Sequence, residues 1–330
     1  MTRYSTALVR ALRQRADINV LELGGGPLVS RRDWRKKLVT ARQELIWYPL
    51  LGRRSAAREG AQVYHCPTLR APLTRGKPPL VLTVHDLVPL RFPETMSAWS
   101  RVYTRATLRR VIDAADTIVA VSQTTANDLN SLLRVQADRI RVVWSGVDST
   151  FESVASIARP RAIDEEYVLF VGTPEPRKNL PRLIDAMTTL RARGRRLILV
   201  IAGGGGWGGV DVSAKIVRSV GVVSDPELAA LYADASCVVL PSLYEGFGLP
   251  VIEAMAVGTP VVASRAGALP EIAGQAAVLV DPYDAGAIAD GIEQAIRDRG
   301  RLVELGRERA KLFRWDTAAS KMTEIYRELA

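Results

Sequence analysis

Short apolar runs that break into glycine- or proline-rich loops and then open into helices recur along this 330-residue chain, and they constrain its fold more than any other feature. An apolar run bounded by turn residues reads as a buried strand. In the second half such runs fall at 167–171, 197–201, 236–240, 261–263 and 277–280, with helical patterns at 180–192, 226–233, 251–257 and 285–296. The first half has runs at 18–23, 63–66, 80–84 and 117–121, with helical patterns at 98–114 and 124–133. Strands that alternate with helices can pair only in parallel, with helices on both faces of the sheet. The chain therefore reads as two parallel α/β halves. After an apolar run at 140–143, the polar, irregular stretch 149–166 reads as the linker between residues 1–150 and the second half.

The most informative loop is Pro241-Ser242-Leu243-Tyr244-Glu245-Gly246-Phe247-Gly248-Leu249-Pro250-Val251-Ile252-Glu253-Ala254-Met255. Glycines let backbone N–H groups approach an anion closely, and the helix N-terminus that follows adds partial positive charge. Glu245 in the loop and Glu253 in the helix supply carboxylates that accept hydrogen bonds from sugar hydroxyls. A phosphate cradle with hydroxyl acceptors suits a nucleotide sugar. A second strand–loop–helix junction, Val171-Gly172-Thr173-Pro174-Glu175-Pro176-Arg177-Lys178-Asn179-Leu180, sets two cations at a helix start, where they can neutralise a diphosphate.

These residues carry a resemblance. Glu245 to Glu253, with the intervening G-F-G-L-P and the following E-A-M-A-x-G-x-P-V-V-A-S, is similar to the E-x7-E signature of family 4 retaining glycosyltransferases. The resemblance runs from about residue 3 to the C-terminus. It implies the GT-B fold: two Rossmann-like domains facing a central cleft, an acceptor-side domain over 1–150 and a donor domain over 151–312. Residues 313–330 would be a C-terminal helix packing back toward the first domain. For the donor it implies contacts from Gly172, Thr173, Arg177, Lys178, Val223, Gly246, Phe247, Gly248 and Leu249, with Glu253 on the ribose and Glu245 on the sugar. Many relatives place an arginine where this chain has Thr173, so Arg177 would supply that charge.

Thr83-Val84-His85-Asp86-Leu87 ends an apolar strand at the carboxyl edge, where open α/β sheets bind ligands. It resembles the family's H-D element, which implies that His85 approaches the transferred sugar; the ring itself can donate to a hydroxyl or phosphate and change charge near neutral pH. His65 also ends a strand. Ser122 and Asp128 resemble a further strand-end element, although Ser122 can equally be a plain helix cap. The glycines at 203–206 lack the G-x-G-x-x-G context of a dinucleotide site. The resemblance also implies a missing first strand in the N-terminal domain. The sequence starts at Met1-Thr2-Arg3-Tyr4, inside the family pattern G-x-x-R-Y-x-x-x-L, so a strand and a loop are expected upstream of Met1, or else the chain is a truncated, inactive sugar-nucleotide binder.

Charge is uneven. Residues 1–150 hold 24 of the 45 basic and 12 of the 35 acidic residues, a balance of +12; the remaining 21 basic and 23 acidic residues leave 151–330 at −2. The excess is densest at Arg31, Arg32, Trp34, Arg35, Lys36 and Lys37, followed by Trp47, Tyr48, Arg53 and Arg54. Basic residues among interfacial aromatics suit an anionic membrane surface or an acceptor's lipid phosphate. The same composition fits a solvated basic face, or, less directly, nucleic acid. No apolar stretch reaches the ~18 residues of a membrane span. Cys66 and Cys237 are the only cysteines, which suggests reduced thiols in the cytoplasm. With two histidines and no C-x-x-C or D-x-D, no metal or other cofactor is expected.

The sequence thus reads as a retaining, metal-independent hexosyltransferase of cell-surface polysaccharide synthesis. It would be cytoplasmic and peripheral on the inner face of the membrane. The pattern leans toward mannosyl and rhamnosyl transferases that act on saccharide or lipid-linked acceptors.

Overall fold

The computed structural model describes residues 2–23, 43–96, 98–153, 163–205 and 216–330. The chain divides into two units: Met1–Trp144 with Trp315–Ala330, and Ser145–Arg314. The divisions fall a few residues away from the sequence-based ones at 150 and 312. Residues 149–153, placed in the linker by sequence, form a short helix in the second unit, Ser149–Ser153, whose Phe151 is fully buried. Residues 154–162 lie outside the described residues.

Among the described residues the first unit is built on four parallel strands in sequential order, β1 (Tyr64–Cys66), β2 (Leu80–Val84), β3 (Thr117–Ala120) and β4 (Ile140–Val142). Cys66 stands opposite Leu82, and Val84 opposite Ala120. Every residue of β2 and β3 is buried, as expected of strands covered on both faces. Leu82, Ile112, Ile118 and Leu129 meet in the core, joining the sheet to the helices Ala98–Ala114 and Gln123–Leu133. The helix Thr2–Arg13 buries Tyr4, Leu8, Ala11 and Leu12, one face at helical spacing, and packs against the C-terminal helix Trp315–Leu329. Arg15 donates to Ser320 at 2.8 Å, and Arg327 pairs with Asp17 at 2.5 Å.

One expectation fails here. Residues 18–23 are not a strand; they run without regular structure, and Leu21 is 48% exposed. No described strand pairs with this segment, so apolar content alone does not give it a ladder.

The described residues of the second unit form six parallel strands in the order β10-β9-β8-β5-β6-β7. In the chain these are β5 (Tyr167–Val171), β6 (Ile198–Ala202), β7 (Val217–Gly221), β8 (Cys237–Leu240), β9 (Val261–Ser264) and β10 (Val278–Val280). From β5 the chain builds outward through β6 and β7, then returns to β8 beside β5 and builds the other way. The direction reverses between β5 and β8, and a crevice opens at the carboxyl ends of strands at such a switch point. The loops after β5 and β8 are the two that carry the cations and Glu245.

Four described strands and α-helices of this unit are absent from the sequence reading: the short helices Ser149–Ser153 and Leu269–Ala273, one strand and one longer helix. Strand β7 lies at the sheet edge with Arg218 and Ser219 exposed, so it lacks the apolar signature. The helix Arg299–Ala310 is rich in arginine, and it seats Gly306 on Met255, where a Cβ would come within 3.2 Å of Met255 Cγ.

Candidate active site

Local chemistry fixes both loops at the switch point. Val171 runs into Gly172, whose N–H donates to Ala202 O at 2.9 Å. A Cβ on neighbouring Gly203 would stand 2.2 Å from Gly172 O, so only glycine permits this approach. A tight turn, Pro176–Lys178, ends at Asn179 in the left-handed conformation (φ 60°), and the helix Leu180–Ala192 begins. Asn179 is buried. Its Nδ2 donates to Pro241 O at 2.9 Å and to Pro282 O at 2.6 Å, tying the loop after β5 to those after β8 and β10.

That tie brings Arg177 and Lys178 against Glu245. Lys178 Nζ donates to Glu245 Oε1 at 2.6 Å, and an Arg177 NH group lies 2.9 Å from Glu245 Oε2. Arg177 also donates to Tyr244 O and pairs with Glu175 at 2.6 Å, while its own carbonyl accepts from Leu243 N at 2.8 Å. The Ser242 hydroxyl faces the same carboxylate, outside regular hydrogen-bond geometry. Burial raises the carboxyl pKa of Glu245, but Lys178 and Arg177 outweigh it and hold the value down at about 2. The backbone of Glu245 is equally fixed. Ala268 N donates to Glu245 O at 2.8 Å, and a Cβ on Gly267 (φ +57°) would stand 2.5 Å from that oxygen.

From sequence, Arg177 and Lys178 are expected to be a source of positive potential. In the structure two carboxylates, Glu175 and Glu245, balance them.

The glycine loop is buried from Tyr244 through Gly248, with the Phe247 ring edge-on to Phe313 at 5.9 Å. Gly248, left-handed at φ 109°, precedes the helix Leu249–Val257; a Cβ there would strike Leu269 at 2.7 Å. Glu253 sits on the buried face of this helix, and Tyr232 OH donates to its Oε2 at 3.0 Å. Thr173 and Val223 are half-buried, Val223 next to Val222, which is 82% exposed.

In the first unit His85 follows β2. Its Nε2 lies 2.9 Å from Pro67 O, and a carbonyl can only accept, so Nε2 carries the proton. Burial pushes the ring pKa down, which keeps the imidazole neutral. Nδ1 is then an acceptor, whereas the sequence reading has His85 donating. The Tyr4 ring meets His85 edge-on at 4.6 Å, and Thr125 Oγ1 donates to His85 O at 3.3 Å. Ser122 caps its helix through Thr125 N at 3.0 Å, and Asp128 pairs with Arg91. His65 is bonded at both nitrogens, to Tyr326 OH at 2.7 Å and Thr83 Oγ1 at 2.8 Å. Burial lowers its pKa to about 4.

Arg31, Arg32, Trp34, Lys36 and Lys37 lie outside the described residues. Arg53, read from sequence as part of the same basic surface, is buried. It donates to Pro78 O and Thr74 O and pairs with Asp116 at 3.1 Å, so it braces the fold. Among the described residues no helix is long and apolar enough to cross a membrane, and no cluster of His, Cys, Asp and Glu could hold a metal ion.

Residues 1–151 match the family described as Glycosyltransferase Family 4, and residues 156–312 match glycosyl transferases group 1. O-antigen chain mannosyltransferase B of Escherichia coli is 32% identical over 288 residues, which takes in 81% of this chain and 74% of that protein. This chain belongs to the family 4 glycosyltransferases. A D-inositol 3-phosphate glycosyltransferase of Salinispora arenicola is 32% identical over 76% of this chain, which spans 63% of that relative's length. Among solved structures, sucrose-phosphate synthase from Thermosynechococcus elongatus superposes with a TM-score of 0.71 at 24% identity, covering 99% of this chain and 92% of that one. WaaG, a glycosyltransferase involved in lipopolysaccharide biosynthesis, gives 0.70 at 14% identity, covering 98% and 95%. Anabaena HepE in complex with UDP and glucose gives 0.67 at 20%, covering 84% and 81%. At these identities the likeness is one of fold, and the fold is of the GT-B class with two parallel-sheet α/β domains.

Proposed function

We propose that this family 4 glycosyltransferase moves a hexose, mannose or a close relative, from a nucleotide diphosphate sugar to a saccharide or lipid-linked acceptor, with retention of anomeric configuration and without a metal ion. The observation that carries the reading is the Lys178–Glu245–Arg177 cluster, set beside the buried glycine loop at the switch point. Lys178, Arg177 and the amides of residues 246–249 would hold the diphosphate. Glu253 would take the ribose once Tyr232 shares it, with Gly172, Thr173 and Val223 beside the nucleotide. Glu245 would hold sugar hydroxyls in the second unit, and in the first unit His85 would offer Nδ1 as a hydroxyl acceptor.

The acceptor oxygen attacks the anomeric carbon on the face the diphosphate leaves. The C1–O bond to the diphosphate breaks, and the acceptor proton passes to the departing phosphate oxygen. Cations placed where the leaving group gains charge lower the barrier. The mannosyltransferase relatives support mannose, and the UDP–glucose complexes of HepE support a nucleotide donor. The basic run 31–37 supports a peripheral contact with anionic membrane lipid on the cytoplasmic face, each Lys or Arg contributing about 1 kcal/mol.

The test incubates the protein with GDP-mannose or UDP-hexoses and a lipid-pyrophosphate acceptor in the presence of a chelator. Product with the donor's anomeric configuration, read by NMR, is the expected result. Inverted product, or turnover only after magnesium or manganese is added, overturns the reading. Co-sedimentation with anionic but not neutral vesicles checks the membrane contact.

A further inference from the structure

The charge balance around Glu245 has a consequence for how a donor enters. Lys178, Arg177, Glu175 and Glu245 are each only 10–15% exposed, so water screens their interactions weakly. Their formal charges cancel. Arg177 is held on three sides, by Glu175, Tyr244 O and Glu245. For Lys178, Glu245 is the single ion-pair partner among the described residues. An incoming diphosphate therefore meets a neutral site, and the cation it can win is Lys178.

We propose that Glu245 is an internal counter-ion that occupies the diphosphate position in the donor-free state and exchanges partners when the donor binds: the diphosphate takes Lys178, and the released carboxylate turns to the sugar. Arg177 keeps its place through Glu175 and Tyr244 O, so Glu175 is a positioning residue for the exchange. This rests on the proposed function and goes beyond it, since it makes nucleotide binding and sugar gripping one coupled event. The exchange is confined to the Glu245 side chain, because Gly267 abuts its backbone and Ala268 N holds its carbonyl. A nucleoside diphosphate without sugar displaces Glu245 and offers it nothing in return. A sugar nucleotide supplies the hydroxyls that compensate. The site thereby favours donor over spent product.

Glu245→Gln separates this role from the alternatives. Removing the competing charge should tighten binding of GDP or UDP by roughly tenfold, the scale of one charged hydrogen bond, while transfer from the sugar nucleotide falls. A residue that only grips sugar would leave nucleoside diphosphate affinity unchanged, and a purely structural one would lower both. The experiment is calorimetric titration of GDP and UDP, in chelator, into wild type, E245Q, K178M and the double variant, with melting curves to establish folding. The gain in E245Q should vanish when Lys178 is also replaced. E245D, which keeps the charge but draws it back by one methylene, should show a smaller gain and serves if E245Q does not fold. Equal or weaker binding by folded E245Q overturns the inference alone, and so does a gain that persists without Lys178. Nucleotide bound by no form removes the functional reading as well.

Discussion

Glu245 and His85 stand at the ends of parallel strands in different units, yet they are held in place by opposite means. Glu245 is fixed by charge: Lys178 and Arg177 hold its carboxylate, Glu175 balances the arginine, and all three stand on the loop after β5. His85 is fixed by neutral contacts, namely Pro67 O, the Tyr4 ring edge and the Thr125 hydroxyl, each from a different part of the chain. The contrast teaches that an ionic site can be reorganised by a charged ligand, whereas a neutral hydrogen-bonded site presents one fixed acceptor. The first suits a group that binds and releases phosphate, the second a group that orients a hydroxyl.

Removing either centre should break the comparison most visibly. Lys178→Met should lower turnover by about 10²–10³-fold, the usual loss when one group stabilising the leaving charge is removed. It should also weaken nucleotide binding. The same assay on His85→Ala should show a turnover loss with nucleotide affinity kept.

Next in size is Asn179→Ala. It strands the Pro241 and Pro282 carbonyls and puts alanine at φ 60°, a combined loss of about 2–4 kcal/mol. Denaturant unfolding would reveal it, and a change below about 0.5 kcal/mol would show that the loops after β5, β8 and β10 are not tied this way.

Acid sharpens the contrast further. The Glu245 carboxyl stands near 2 in the folded chain against an ordinary 4.5, so its stabilisation is whole above about pH 4.5 and is lost as pH falls toward 2. His65 stands near 4 against 6.5. Below 6.5 the unfolded chain takes up that proton first, so stability drops between pH 6.5 and 4 and is whole above that window. Melting curves across pH should lose the lower window in E245Q and the upper one in H65N. A profile unchanged in both variants would contradict these assignments.

The smallest effect is expected from Tyr326→Phe, which removes one hydrogen bond to His65 and should cost about 1 kcal/mol. A turnover loss out of proportion to that stability loss would mean that His65 bears on the reaction and not on the fold alone.

The same contrast explains what was legible in the sequence. Helices 98–114 and 180–192 were readable to the residue, because their apolar faces keep a helical period. The donor loops were readable because their ligands are neighbours in sequence: Arg177 and Lys178 on one loop, Glu245 and the glycines on the other. That Lys178 and Arg177 would be spent on Glu245 was not legible, since the tie between the loops runs through Asn179 to carbonyls 62 and 103 residues away. Gly267 carries no signal in Arg265-Ala266-Gly267-Ala268 that it abuts Glu245. Tyr4 reaches His85 across 81 positions, a contact that no local pattern encodes. Strand β7 and residues 18–23 fail for one reason from two sides. Whether a segment joins a sheet depends on a partner edge, which a polar edge strand can find and an apolar segment can lack.

Nucleotide affinity and turnover measured side by side in Lys178→Met and His85→Ala separate the charged centre from the neutral one. K178M should lose both, while H85A should keep wild-type affinity for GDP or UDP and lose turnover. Nucleotide binding weakened equally in both variants, or untouched in K178M, would contradict the division of labour between the charged centre and the neutral one.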